Sequence, residues 1–357
     1  MKLKLLLFFM GIIQVNIYSQ NDNYPKPTEN TIRLMTYNVS YARGNTGNTA
    51  FQPAKVNTIG RVIKLLDPDI VSLQELDSAC AERYHRYLLK DIKEATGEDY
   101  TMIYTPTALY NTGNIGNGVL VKSKYSVLGV KPMTVPGNGR AMTRINLENM
   151  VFFSTHWDVS CVECRQQSAT LLNAELRFIR KPVFLAGDLN DSHRWRGGAF
   201  PILEDNDWEL HSTTDPTEPS GTSTIDYILF HDYNNSKINF LGSNPAKMLF
   251  LSSGNIDLAG VSDHYPVYLD IEFPVSASLD ANYKEESPII YPSVTTGLLH
   301  VNSDVQVSKM NIYTNNGQLV QEISGKNQID ISSLQNGTYY VEVVTPELKI
   351  CQAIIKQ

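Results

Sequence analysis

Short apolar runs alternating with amphipathic stretches predict an α/β fold: a sandwich of two central mixed sheets flanked by helices, followed by a small all-β sandwich. Three observations carry this. Strand-like runs such as TIRLMTYNV, DIVSLQEL and PVFLAG are separated by helical patterns. Between them lie many closely spaced strand-like segments, more than a wholly parallel doubly wound sheet holds. Near Ser276–Pro288 the texture changes to the polar, proline-bounded SASLDANYKEESP, and only β-patterned segments follow.

In order, MKLKLLLFFMGIIQVNIYSQ has lysines at 2 and 4, an apolar run from Leu5 to Ile13 and small or polar residues near Ser19. That is secretory signal-peptide grammar over residues 1–19, and the run is shorter than the ~20 apolar residues a spanning helix needs. After a polar tether to about Asn30, TIRLMTYNV reads as a strand and AKVNTIGRVIKLL as a helix opened by Pro53. DIVSLQEL is the next strand, and a helix is expected near Tyr84–Ala95. The strands TMIYT, NGVLVKS, SVLGVKPM, MTRINL and MVFFSTH come next. The helix RQQSATLLNAELRFI leads into PVFLAG, and TIDYILF and HYPVYLDIEF close the domain. Residues 275–288 read as a linker. Beyond it LLHVNS, KMNIYTN, QLVQEIS, IDISSL and TYYVEVVT are expected strands, with turns at Asn315-Asn316-Gly317 and Gln335-Asn336-Gly337.

A formal net charge of −7 gives no global basic field for collecting nucleic acid or anionic membrane, although a local basic groove is compatible with it. Four cysteines are few for a disulfide scaffold. The Cys161-Val-Glu-Cys164 spacing fits a structural bridge, a redox pair or a zinc half-site; no second such pair completes a zinc site, which favours the bridge over free thiols.

Polar residues recur at the ends of the apolar strands. Asn38 ends TIRLMTYN, Glu75 ends DIVSLQE, His156 ends VFFSTH, Asp188 and Asn190 follow PVFLA, Asp226 opens DYILF, and Asp263 and His264 precede YPVYLDI. One such residue alone is a cap or turn. Together they are hard to assign to turns, because buried carboxylates are costly unless they bind metal or pair with a cation. The set supplies an oxygen-rich site for a hard cation, two histidines and carboxylates to orient them, which suits phosphoester hydrolysis with Mg²⁺ and is compatible with Mn²⁺ or Ca²⁺.

TYN, LQE, GNGVLV, STH, GDLN, IDYIL and SDHYPV occur in this order, and over residues 30–274 the chain resembles the endonuclease/exonuclease/phosphatase superfamily with its deoxyribonuclease-I-like fold. The resemblance implies a four-layered α/β sandwich and divalent-metal-dependent hydrolysis of phosphate esters. Position by position it implies Glu75 as the principal metal ligand, Asn38 beside metal and phosphate, and Asp263 near the metal. It also implies Asp188 as the carboxylate that orients or deprotonates water, with Asn190 beside it, His156 on the phosphate, and His264 at the transition state. Asp226 would orient a histidine, and Asn117 matches a polar position near substrate. Asp158 and Arg165 read as supporting or helix-start residues, and Asp191 as a cap on the stretch after it. Tyr110, Arg140, Arg194, Trp195 and Arg196 are candidate substrate contacts on loops.

The segment from YPSVTTGLLHV through KMNIYTNNGQLV and GTYYVEV to AIIKQ resembles the C-terminal sorting domain of type IX secretion substrates over residues 289–357, although YPSVTTG departs from the usual YPNPTSG. It implies the type IX machinery as a partner and a secreted or cell-surface location. A nuclease is the expected activity, since SHRWRGG sets two arginines and a tryptophan directly after the DLND edge. Phosphatase and phospholipid or sphingomyelin phosphodiesterase activities are the alternatives within the chemistry, and a non-catalytic surface-displayed binding module the alternative outside it. A monomer is expected.

Overall fold

The structure, a computed structural model, describes residues 24–45, 51–80, 86–110, 112–177, 179–233, 235–274, 289–291, 294–302, 306–314, 318–346 and 349–356. The proposed signal peptide, the linker and the Asn315-Asn316-Gly317 turn lie outside them. The chain divides into two units, Met1–Asn173 with Lys181–Phe273, and Ala174–Arg180 with Pro274–Gln357.

The first unit opens with β1 (Ile32–Asn38), α1 (Pro53–Leu66), β2 (Ile70–Ser78), α2 (Leu88–Thr96), β3 (Tyr100–Tyr110) and β4 (Gly113–Lys122). It continues through β5 (Gly129–Thr134), β6 (Ala141–Asn146), β7 (Val151–His156), α3 (Val162–Leu176), β8 (Val183–Asp188), α4 (Phe200–Glu204) and β9 (Trp208–Leu210). Next come β10 (Asp226–His231), β11 (Asn239–Pro245), the two-residue strands β12 (Met248–Leu249) and β13 (Ile256–Asp257), and β14 (Val267–Glu272). Two six-stranded sheets result, ordered β11-β14-β1-β2-β4-β3 and β5-β6-β7-β8-β10-β9. Both are mixed: β1 pairs β2 in parallel but β14 antiparallel, and β7 pairs β8 in parallel while β8 and β10 run antiparallel.

Alternation along β1 explains the layering. Leu34 joins the core between the sheets with Ile70, Phe152 and Phe184. Its neighbours Met35 and Tyr37 face the other way and pack with Ile59, Ile63 and Ile92 of α1 and α2. On the far face of the second sheet, Phe200 of α4 packs edge-on against Tyr227 of β10, and the Trp208 indole donates to Asn173 of α3. Helices, sheet, sheet, helices is therefore the order of layers.

The α1–α2 contact depends on Gly60, where an added Cβ would lie 2.5 Å from the Ala95 Cβ and 2.7 Å from its carbonyl carbon. Gly60→Ala is expected to lower stability by about 1–3 kcal/mol through overpacking, outweighing the ~1 kcal/mol gain in helix propensity. Urea unfolding followed by tryptophan fluorescence checks this, and an unchanged or raised midpoint refutes it.

Sequence-read elements recur with shifted ends. The helix expected near Tyr84–Ala95 is described from Leu88, and α3 starts at Val162, three residues before the expected Arg165. β9 and β11 were not foreseen: one has three residues, and the other has a bulge at Phe240/Gly242.

The second unit is all β. It comprises β15 (Ile289–Tyr291), β16 (Val294–Thr295), β17 (Leu298–Asn302), β18 (Lys309–Thr314), β19 (Leu319–Ser324), β20 (Gln328–Asp330), β21 (Gly337–Val344) and β22 (Lys349–Lys356). A three-stranded sheet β15-β17-β20 and a five-stranded sheet β16-β22-β21-β18-β19 share a core of Leu299, Val301, Met310, Ile312, Ile329, Val341 and Val343. The Gln335-Asn336-Gly337 turn is a corner between the sheets, joining β20 to β21.

Among the described residues no helix is long and apolar enough to cross a membrane.

Candidate active site

Strand register assembles the site. In the second sheet Asp188, the last residue of β8, pairs with His156 at the end of β7 and with Asp226 at the start of β10. Because β10 runs antiparallel, its first residue lies beside the last residues of the other two strands. Gly187 permits the close approach of β7, since a Cβ there would lie 2.2 Å from the Thr155 carbonyl oxygen. The first sheet supplies Asn38 from the end of β1 and Glu75 from β2. The loop before β14 is tied to β1 by the Ser262 hydroxyl, which donates to the Asn38 carbonyl at 2.7 Å.

One oxygen is the focus. Asp188 Oδ2 accepts from Asn38 Nδ2 at 3.1 Å, with His156 Nε2 at 3.4 Å and His264 Nε2 at 3.8 Å. The other oxygen, Oδ1, accepts the Asn190 backbone N–H at 2.9 Å. His264 Nδ1 is 2.8 Å from Asp226 Oδ2, which settles which carboxylate orients this histidine. All four titratable groups are buried.

Burial, then the Asp226 charge, raises the Asp188 carboxyl above the ordinary range, against the lowering effect of His264, Asn38 and the Asn190 N–H. Burial alone would lower His264, but Asp226 through charge and hydrogen bond, then Asp188 and Asp263, lift it well above the usual imidazole value. His156 is held well below that value by burial, Arg140 and His264. Protonation is therefore favoured at His264 and disfavoured at His156, and both face the same carboxylate.

Glu75 lies at the other side of Asn38, whose Nδ2 is 3.4 Å from Glu75 Oε1 while its Oδ1 accepts the Ser40 N–H. Asn38 as seated thus presents nitrogen, not oxygen, to both carboxylates. Glu75 has φ of 56° beside a bulge between Leu73 and Leu76, and Asn190 has φ of 48°. Such left-handed backbone in residues other than glycine costs about 1–3 kcal/mol each and clusters at functional sites. Burial and the Asp263 charge raise Glu75. Glu75 and Asp263 are near enough for one charge to act on the other, and both carry the carboxylate oxygens that a hard divalent cation takes. Asp188, Asp226 and His264 also offer ligand-type atoms within 4.8 Å of one another, but there a cation would compete with the His264–Asp226 hydrogen bond.

Asn117 is buried and its side-chain amide donates at 3.3 Å to the carbonyl of Ala141, the strand partner of His156, linking the two sheets. The Asp158 carboxylate accepts the N–H groups of Asn138, Ser160 and Cys161, and Arg165 donates to the Asp158 and Val159 carbonyls, so both shape the start of α3. The Cys161–Cys164 bridge is formed there, with Cα atoms 5.2 Å apart, and Cys80 is buried with its thiol against the Ser78, Tyr110 and Asn114 carbonyls. Asp191 is buried and accepts from Ser192 and from Ala199, the residue before α4. Arg140 Nε lies 3.9 Å from Asp158, near enough to His156 to lower it. Arg194 and Trp195 line a pocket with Asn190; Arg196 pairs with Glu204; Tyr110 is exposed at the end of β3. Sequence reasoning passed over Arg43, whose guanidinium is 3.5 Å from Glu75 Oε2 and 4.7 Å from the Tyr41 ring centre. The sequence offered only its place five residues after Asn38.

The sequence matches the Endonuclease/Exonuclease/phosphatase family over residues 35–264 and the Secretion system C-terminal sorting domain over residues 289–357. Among solved structures, an endonuclease/exonuclease/phosphatase from Bacteroides vulgatus matches with a TM-score of 0.55 at 19% identity, over 68% of this chain and 99% of that one. The mannosyl-6-phosphatase of Bacteroides thetaiotaomicron VPI-5482 gives a TM-score of 0.55 at 17% identity, over 68% of this chain and 100% of that one. The human Nocturnin catalytic domain with bound sulfate gives 0.52 at 16%, over 69% and 96%. At these identities the likeness is one of fold. No curated protein matches the chain.

Proposed function

The chain belongs to the endonuclease/exonuclease/phosphatase family, and from that membership and the site geometry we propose that it is an exported, divalent-metal-dependent phosphoesterase that cleaves phosphodiester bonds of nucleic acid. The observation that carries the reading is the convergence of Asn38, His156 and His264 on Asp188 Oδ2. A phosphoryl oxygen placed among these nitrogens meets the His264 cation, the neutral His156 and an amide, a preorganised set for the charge that develops as water attacks. Asp188, raised by burial, takes the proton from that water. Asp226 holds the His264 ring, and Asn190, tied to Asp188 and to the Trp157 carbonyl, fixes the carboxylate's angle. Glu75 and Asp263 would hold the cation, Mg²⁺ first and Mn²⁺ or Ca²⁺ by the same donor chemistry, with Asn38 between it and the phosphate. A divalent ion bound there supplies positive charge to a phosphoryl oxygen.

The sorting domain indicates secretion to the cell surface, with the type IX machinery as the implied partner. Residues 1–19 as signal peptide and a monomeric state belong to the same proposal.

The test is hydrolysis of bis-p-nitrophenyl phosphate, DNA, RNA, sphingomyelin and sugar phosphates by purified protein. EDTA is expected to abolish turnover and Mg²⁺ to restore it. Glu75→Gln is expected to raise the Mg²⁺ concentration for half-maximal rate by about 10- to 100-fold. Metal-independent turnover refutes the metal assignment, and cleavage of a lipid or sugar phosphate with nucleic acid left intact refutes the substrate.

A further inference from the structure

A pocket of about 340 Å³ lies beside the catalytic residues, lined by Asn190, His193, Arg194, Trp195, Thr222 and Ser223 among others. It is built on the two segments that leave the catalytic strands. Asn190 is two residues past Asp188, the Thr222–Ile225 stretch precedes Asp226, and the Leu189 N–H donates to the Ile225 carbonyl at 2.9 Å. Whatever fills the pocket is therefore next to the bond being broken. We propose that it receives one unstacked nucleobase adjoining the scissile phosphate, with Trp195 as the stacking platform, so that the substrate is single-stranded nucleic acid. This rests on the phosphoesterase reading above.

The lining has the chemistry of a base pocket. Trp195 is 44% exposed although the other two tryptophans, Trp157 and Trp208, are buried. A second lining residue holds it: the Arg165 guanidinium lies 5.9 Å from the ring centre, and Arg165 is itself buried and fixed by the Asp158 and Val159 carbonyls. The Trp195 N–H donates to the Ser192 carbonyl and the Gly198 N–H to the Trp195 carbonyl, so two turns hold the indole at the rim. His193 is kept low by burial and by Arg194, and its Nδ1 engages the Tyr227 hydroxyl at 3.1 Å. It therefore adds a neutral aromatic edge. Arg194 is exposed beside it, a planar donor for base or phosphate oxygens. The volume suits one nucleoside and is too small for a base pair with its stacked neighbours. A base must leave the duplex stack to enter, which costs least in a single strand.

The test uses the full chain and three substrates: a 12-nucleotide single strand, the same strand annealed to its complement, and bis-p-nitrophenyl phosphate. The single strand is expected to be cleaved at least tenfold faster than the duplex. Trp195→Ala is expected to lower the ratio of kcat/KM for the single strand to that for bis-p-nitrophenyl phosphate by about 10- to 100-fold, the range of base–aromatic stacking. Trp195→Phe, which keeps a ring, restores most of that ratio. In EDTA, where nothing is cleaved, the trinucleotide dTpdTpdT quenches tryptophan fluorescence of the native chain but not of Trp195→Phe. Equal cleavage of duplex and single strand overturns the proposal, as does an unchanged ratio in Trp195→Ala or equal quenching by glucose 6-phosphate. Turnover of bis-p-nitrophenyl phosphate without cleavage of either nucleic acid also overturns it while leaving the phosphoesterase intact. Trinucleotide quenching in a protein that hydrolyses none of the three supports the pocket and removes the phosphoesterase reading.

Discussion

Asn in place of Asp188 is expected to reduce kcat/KM for a phosphodiester by about 10²–10⁴-fold, the range a positioned general base contributes. The substitution preserves shape. Asn38, His156 and His264 keep a polar neighbour, and His264 keeps Asp226 at 2.8 Å, so its ring should not turn. What is lost is the proton acceptor. Stability should move the other way or not at all, because Asp188 is a buried carboxylate beside a second one, an arrangement that raises its proton affinity and strains the fold. Measuring both quantities separates the roles. A kcat/KM loss below tenfold removes Asp188 from proton transfer, and a large loss accompanied by an earlier urea midpoint assigns it to structure instead.

Much of this arrangement was legible in the sequence, because Asn38, His156, Asp188 and Asp226 sit at the ends of apolar strands; Glu75, read as the end of DIVSLQE, lies instead at the bulge inside β2. VFFSTH and VFLAGD carry their polar ends without any knowledge of the fold. What the letters did not carry was pairing. Asp226 was expected to orient a histidine but not which one; the start of β10, set beside Asp188 by its antiparallel register with β8, brings it to His264. Asn38 was expected beside a metal as an amide, and the Ser40 N–H turns its oxygen away, a backbone effect of the left-handed residues Ser40, Tyr41 and Ala42. Arg43 went unnoticed for a related reason: nothing in SYARG says that three successive residues take positive φ and fold the chain back toward Glu75. The start of α3 was misplaced because Asp158 and the Cys161–Cys164 bridge, not helix propensity, set it.

The buried arginine of β1 went equally unread, and it carries the largest expected effect on stability. Arg33 interrupts an apolar strand, which as a pattern is only a weak strand position, yet it is 1% exposed. It pairs across the register with Asp270 of β14, Nε and Nη2 reaching the two carboxylate oxygens at 2.7 Å each, and Nη1 donates to the Tyr24 and Leu66 carbonyls. The Tyr268 ring centre lies 4.2 Å from the guanidinium carbon. Asp270→Asn removes the countercharge and leaves the cation buried, for an expected loss of about 3–5 kcal/mol. Replacing both partners by apolar residues, Arg33→Met with Asp270→Leu, is expected to recover most of it, since desolvation of the two charges disappears with them. Next to this pair Asp69 accepts the Arg33 N–H at 2.8 Å and meets Lys26 and Lys124. Burial alone would raise Asp69, but Lys26 by charge and hydrogen bond, the Arg33 N–H and Lys124 outweigh it and lower the carboxyl. A lowered folded-state value means that the Asp69 contribution is complete above the unfolded value of about 3.9 and is lost as pH falls through the folded one. Asp69→Asn should therefore destabilise at pH 7 and lose its effect as the native chain is acidified below about pH 4. All three tryptophans belong to this first unit, so urea transitions followed by their fluorescence report on it without the C-terminal sheets. A midpoint in Asp270→Asn within about 0.5 kcal/mol of native, the scatter of neutral surface changes, would show that the pair is solvated in solution and contributes little.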